Sequence, residues 1–284
     1  MPAQKAGGLY KGKPCRYKWF RRGRSVPCFS GRIGQFRFKL THHLGFPPFR
    51  SCVRTLYNIR MPNRAYASIW VPDFDEASML THFEHFLATV PLSSGPLGFT
   101  EMTVRAVDAT ETPVEEFDLR GQVLTPAQIL ELVKEHHFDD VCYEVAARWD
   151  LWIRDMESWS WKKQPERLDL FCYGPNYDGG ISAEWGHFMA SFGFEHLFTG
   201  HAGLLTGENG GVAEPQSPEE ARFLMRMSQP QNLREYHEKT RENIQQLMGW
   251  MRAVEETLPV ERVRLWSEGE ENFEARLDEI LAVR

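Results

Sequence analysis

The sequence predicts an α+β protein: a mainly antiparallel sheet with helices packed largely on one face, preceded by a basic N-terminal arm. Three observations carry this. From Val141 to Ile153 seven apolar residues recur at every second position, the signature of a long strand with one buried face. Two stretches, Met79 to Val90 and Leu233 to Val254, space their apolar residues as amphipathic helices do. The elements run β-α-β-(β)-α-β-β-β-α-α-β-α, so helices mix with hairpins and no sustained β-α-β alternation appears.

The elements follow from Met61 onward. Ala65 to Val71 reads as a strand of small and aromatic residues. Asp73 and Glu76 form a D-x-x-E capping pattern, and the helix behind it turns Met79, Leu80, Phe83, Phe86, Leu87 and Val90 inward. Pro91 to Gly98 is a loop. Phe99 to Val107 alternates as a strand, and Val114 to Leu119 is a shorter extended piece. Thr125 caps the next helix, with Pro126 at its first position, Gln128 completing the box, and Ile129, Leu132, Val133 and His136 inward. After the long strand, Met156 to Lys163 reads as a hairpin connection exposing Trp159 and Trp161, and Leu168 to Tyr173 as the return strand. Gly174 to Gly180 is a loop, and Trp185 to Phe192 a further strand bounded by Gly193 and carrying His187. Residues 199 to 216 are Gly-rich and read as a surface loop. Ser217-Pro218 opens a short helix, a long one runs from about Gln231 to Leu258, Val260 to Trp266 is an edge strand, and Glu270 to Val283 is the final helix.

Charge divides the chain at the same point. The first 60 residues carry 14 of the 33 basic residues and none of the 39 acidic ones, which leaves 19 basic against 39 acidic in the body, a formal −20. Two segments are therefore expected: an arm over 1–60, disordered or upstream sequence not part of the native protein, and an α+β body over 61–284. Arg16 to Arg24 interleaves basic and aromatic residues, which can grip phosphates and stack on bases, so nucleic acid is a partner only if the arm is real. Phe36 to Leu40 alternates like a strand. No run approaches the roughly 18 uncharged apolar residues of a membrane span. Five cysteines occur without CxxC spacing, and Cys142 and Cys172 sit inside apolar runs, as buried thiols of a reduced, cytoplasmic protein would.

The chemistry-bearing residues concentrate in one stretch. His187, Glu195, His196 and His201, with Asp178 just before, supply the imidazoles and carboxylates that catalytic zinc or non-haem iron sites use. Their spacing matches no H-E-x-x-H pattern. Glu135 to Asp140 reads as a polar helix end, and His82 and His85 as the solvated border of the first helix. No nucleophile elbow, phosphate loop or dinucleotide fingerprint is present. Trp152, Trp159 and Trp161 have no assigned inner position and form a candidate partner-binding patch. The expectation is a non-catalytic protein of inhibitor or immunity type whose acidic body meets a basic protein. The alternative is a metal-dependent enzyme built on the histidine cluster.

Overall fold

The computed structural model describes residues 63–95, 98–155, 158–200, 215 and 217–282. The basic arm, the Phe36 to Leu40 reading, Met61 and His201 lie outside them. Seven strands form one antiparallel sheet in the order β3-β2-β4-β5-β6-β1-β7. They are β1 (Arg64–Trp70), β2 (Phe99–Ala106), β3 (Glu115–Asp118), β4 (Val141–Arg154), β5 (Trp161–Tyr173), β6 (Phe188–Phe194) and β7 (Arg262–Ser267). The helices are α1 (Glu76–Ala88), α2 (Pro126–Glu131), α3 (Ser182–Trp185), α4 (His196–Thr199), α5 (Pro218–Met227), α6 (Pro230–Thr257) and α7 (Phe273–Ala282).

Sheet alternation decides which face is buried. The odd residues of β4, Val141 to Leu151, join Leu168 and Leu170 of β5, Phe188 and Phe192 of β6 and Ala67 and Ile69 of β1 in one core. Phe83 and Phe86 of α1, Phe198 of α4, Ile244, Leu247, Trp250 and Val254 of α6, and Leu277 of α7 close over it. Each large side chain buried there contributes about 1.5–3 kcal/mol, which anchors an otherwise unexceptional set of helix propensities. The opposite face holds a smaller cluster of Cys142, Tyr173, Tyr177 and Met189, covered in part by the β5–β6 connection and α3. The helices are thus largely on one face, as the patterning predicts.

Several local readings are corrected. Helix α1 is capped by Asp75, whose carboxylate accepts from the Ser78 N–H at 2.8 Å while the Ser78 hydroxyl accepts from the Asp75 N–H at 3.1 Å. Asp73 instead occupies a left-handed turn position with φ +52°. Helix α2 ends at Glu131 and tightens into a 3₁₀ turn over Lys134–His136, a change of phase that leaves Leu132 exposed. The return strand β5 begins at Trp161, so β4 and β5 pair along thirteen positions. The strand expected from Trp185 starts instead at Phe188, because Trp185 closes a helical turn over 182–185, and β6 runs on to Phe194 through a bulge opposite Ala65 and Tyr66, with Gly193 at φ +131°.

Candidate functional site

Of the residues expected to hold a metal, the four that lie among the described residues are placed as follows. Asp178 is exposed at a left-handed position of the β5–β6 connection. His187 stands one residue before β6; its Nδ1 accepts the Val71 N–H at 3.2 Å and its ring stacks on Phe74 at 4.2 Å. Glu195 Oε2 accepts the Gly269 N–H at 2.9 Å, fastening the segment after β7. His196 stacks on Phe194, and burial pushes its pKa down to about 4. Among the described residues no group of three or more His, Cys, Asp or Glu could hold a metal ion. Of the lesser clusters, the polar helix end is engaged: His137 Nε2 meets the Glu76 carbonyl, and His136 lies 3.7 Å from Glu115, whereas His82 Nδ1 is buried without a hydrogen-bond partner among the described residues.

The three tryptophans are half-buried rather than exposed. Lys239 lies 3.9 Å from the centre of the Trp152 ring, and the Trp152 Nε1–H donates to Glu242. Trp159 is held between Arg154 at 4.6 Å and Arg226 at 5.1 Å. Trp161 packs on Tyr236 of α6 at 5.5 Å. These contacts cover the rings with cations and with α5 and α6, and Trp152 and Trp161, with Phe223 and Tyr236, line a cavity of about 440 Å³ beside the β4–β5 hairpin.

A different surface gathers acidic charge. Three connections meet at one end of the sheet: 107–114 after β2, 132–140 before β4, and 174–187 after β5. The Val107 N–H donates to the Asp140 carbonyl at 2.9 Å, the Asp178 N–H to the Val107 carbonyl at 2.8 Å, and the Asn176 N–H to the Asp139 carbonyl at 2.8 Å. Asp108, Glu111, Asp139, Asp140 and Asp178 ride on these connections, and Glu115 and Glu116 continue the charge onto the edge strand β3. Among the acids stand exposed apolar side chains: Val107 at 57% exposure, Phe138 at 55% and Val114.

The backbone there is strained. Val107 has φ +71° and Asp178 φ +48°, and the two are directly hydrogen-bonded. A β-branched residue in the left-handed region is an outlier that persists only where its surroundings enforce it, and such outliers cluster at functional sites. Here the strain turns a valine side chain out into water.

The open face of the sheet is electrostatically self-contained by contrast. Arg64 reaches Asp169 at 3.3 Å, Arg167 reaches Asp169 at 2.6 Å and Glu101 at 3.3 Å, and Arg105 meets Glu144 at 2.9 Å. Charges already spent on one another leave little for a partner.

Comparison with known proteins gives no match: no family model, no curated protein and no solved structure matches the chain. Among the described residues no helix is long and apolar enough to cross a membrane.

Proposed function

We propose that this chain is a non-catalytic macromolecule-binding protein, of inhibitor or immunity type, that takes a basic protein partner on the acidic end formed by the 107–114, 132–140 and 174–187 connections. The observation that carries the reading is that exposed Val107, Val114 and Phe138 share these hydrogen-bonded connections and the start of β3 with Asp108, Glu111, Glu115, Asp139, Asp140 and Asp178. Apolar side chains supply the buried contact of an interface, and neighbouring charge of one sign supplies steering and selection. The formal −20 of the body extends the same field over a longer range. Buried, unpaired Cys142 and Cys172 suit a reducing compartment, in keeping with a cytoplasmic location.

The test is comparative capture from an extract of the source organism. The full chain is immobilised beside a variant carrying Glu111→Lys, Glu115→Lys and Phe138→Ser, and retained proteins are identified by mass spectrometry. The reading requires a basic protein that the native chain retains and the variant does not. A partner retained equally by both, an acidic partner, or no specific partner contradicts it.

A further inference from the structure

One carboxylate stands on the apolar face of the sheet. Glu166 of β5 pairs with Trp149 across the ladder and comes two residues before Leu168, both fully buried, so alternation carries its side chain onto the face that the helices cover. There it is half-buried and lines the cavity beside the β4–β5 hairpin, together with Phe194 of β6 and Leu197 of α4. No hydrogen bond or ion pair among the described residues involves its carboxylate. Burial pushes its pKa up, and Arg148 and Arg64 act on it through space only. Both arginines belong to the open face, where Arg148 stands opposite Arg167 and Arg64 reaches Asp169. A carboxylate drawn out of water onto an apolar face without a cation or a donor is costly, and a ligand that brings the cation offsets that cost.

The rest of the cavity narrows the ligand. Its walls are mainly aromatic, with Trp152, Trp161, Phe194, Phe223 and Tyr236, and its volume of about 440 Å³ lies within the range of small-molecule sites. Its charges favour a cation. Glu219, held by Arg222 at 3.0 Å, and Glu220 stand on the same wall as Glu166. His196 is neutral there, because burial pushes its pKa down to about 4. Arg154 is the only arginine or lysine among the described residues of the wall. Its guanidinium lies over the Trp159 and Trp161 rings at 4.6 and 5.5 Å, with Nε and Nη1 sealed from any occupant. One positive charge on a flat apolar body satisfies both the carboxylate and the walls. We propose that this cavity binds a small aralkylammonium ion, its ammonium donating to the Glu166 carboxylate while its ring packs against the aromatic walls.

The test is calorimetric titration of the full chain, near neutral pH, with 2-phenylethylammonium, against the neutral, near-isosteric 2-phenylethanol and the anionic phenylacetate. The ammonium ion is expected to saturate a single site, with the alcohol at least tenfold weaker, since charge-assisted hydrogen bonds outweigh neutral ones by about that margin. Phenylacetate should bind more weakly than the alcohol, because its charge has the sign of Glu166. Glu166→Gln keeps the shape of the side chain and removes its charge. It should weaken the ammonium ion at least tenfold while leaving the affinity for the alcohol within about twofold. The proposal is overturned if the ammonium ion does not saturate at millimolar concentration, if the alcohol or phenylacetate binds as tightly, or if Glu166→Gln binds the ammonium ion undiminished. Equal weakening of ammonium ion and alcohol by Glu166→Gln also overturns it, by showing that the residue shapes the cavity rather than pairing with a charge. The comparison among the three ligands uses the native chain and so stands whatever the variant does.

Discussion

Asn243 is expected to be among the most consequential polar residues of the fold, and its replacement tests how the long strand is finished. Strand β4 loses its β2 neighbour after Ala147, so the backbone of Trp152 lies past the last β2 pairing. Asn243, on α6 and 2% exposed, takes the missing strand's place. Its Oδ1 accepts the Trp152 N–H at 2.8 Å, and its Nδ2 donates to the carbonyls of Trp152 at 3.0 Å and Leu197 at 3.1 Å. Asn243→Ala leaves three backbone groups without partners. At the low end of about 1 kcal/mol for each buried group left unsatisfied, the loss is about 3 kcal/mol. That is a large share of the roughly 5–15 kcal/mol that holds a domain together. Asn243→Asp should cost as much near neutral pH, because a carboxylate keeps the acceptor and turns its second oxygen on two carbonyls. Protonating that carboxyl restores one donor, so its deficit should shrink in acid. Urea unfolding followed by circular dichroism and tryptophan fluorescence reads both, and a 3 kcal/mol loss moves the midpoint by about 1 M or more. A midpoint shift below about 0.3 M at unchanged slope would refute the claim that this amide finishes the strand.

Other perturbations have defined signs. Gly186 has φ +98°, and a Cβ there would meet the Ile69 nitrogen and the Phe188 carbonyl oxygen, each at 2.8 Å, so Gly186→Ala should cost about 2 kcal/mol or more in the same unfolding assay. Gly249, in the exposed interior of α6 with open space around it, is the opposite case: Gly249→Ala should raise stability by about 0.5–1 kcal/mol. Burial holds the folded-state pKa of His196 near 4, below its ordinary 6.5, so the unfolded chain binds the extra proton between those values. Its contribution is fully present above about pH 6.5 and is lost as pH falls toward 4, on the order of 3 kcal/mol. Unfolding free energies of the native chain and His196→Leu, measured from pH 7.5 to 4, should differ in slope across that window, and parallel curves would count against it.

The fold was legible where one period governs a long segment. Alternation from Val141 to Ile153 and helical spacing from Tyr236 to Val254 identify β4 and α6, because each buries a single uninterrupted face. Thr125, Pro126 and Gln128 mark the start of α2 through side chains acting within one turn. The start of α1 was misplaced because two aspartates, Asp73 and Asp75, both fit a cap, and the hydroxyl of Ser78 does the work expected of Glu76. Strand order was not legible, since β2 with β4 and β1 with both β6 and β7 pair across long stretches of chain.

The sites show the same limit. Trp159 and Trp161 read as exposed because nothing in their spacing reveals that Arg154, Arg226 and Tyr236 cover them. Arg154 falls at the end of the polar face of β4, where an arginine is ordinary. Only the packing of α5 and α6 shows that its donors are enclosed. The acidic end is assembled from three connections far apart in sequence, and its local trace is no more than Val107-Asp108 and Asp139-Asp140.

The most direct measurement of the central claim is the salt dependence of association with the basic partner recovered by capture. Stopped-flow mixing of the full chain with that partner, from about 10 mM to 300 mM salt, spans the change from weak to strong screening. The association rate constant should fall steeply across that range, and a Glu111→Gln, Glu115→Gln, Asp178→Asn variant should start about tenfold slower with a shallower slope. A rate constant indifferent to salt, or equal in the native chain and the variant, would contradict the assignment of the acidic end as the binding surface.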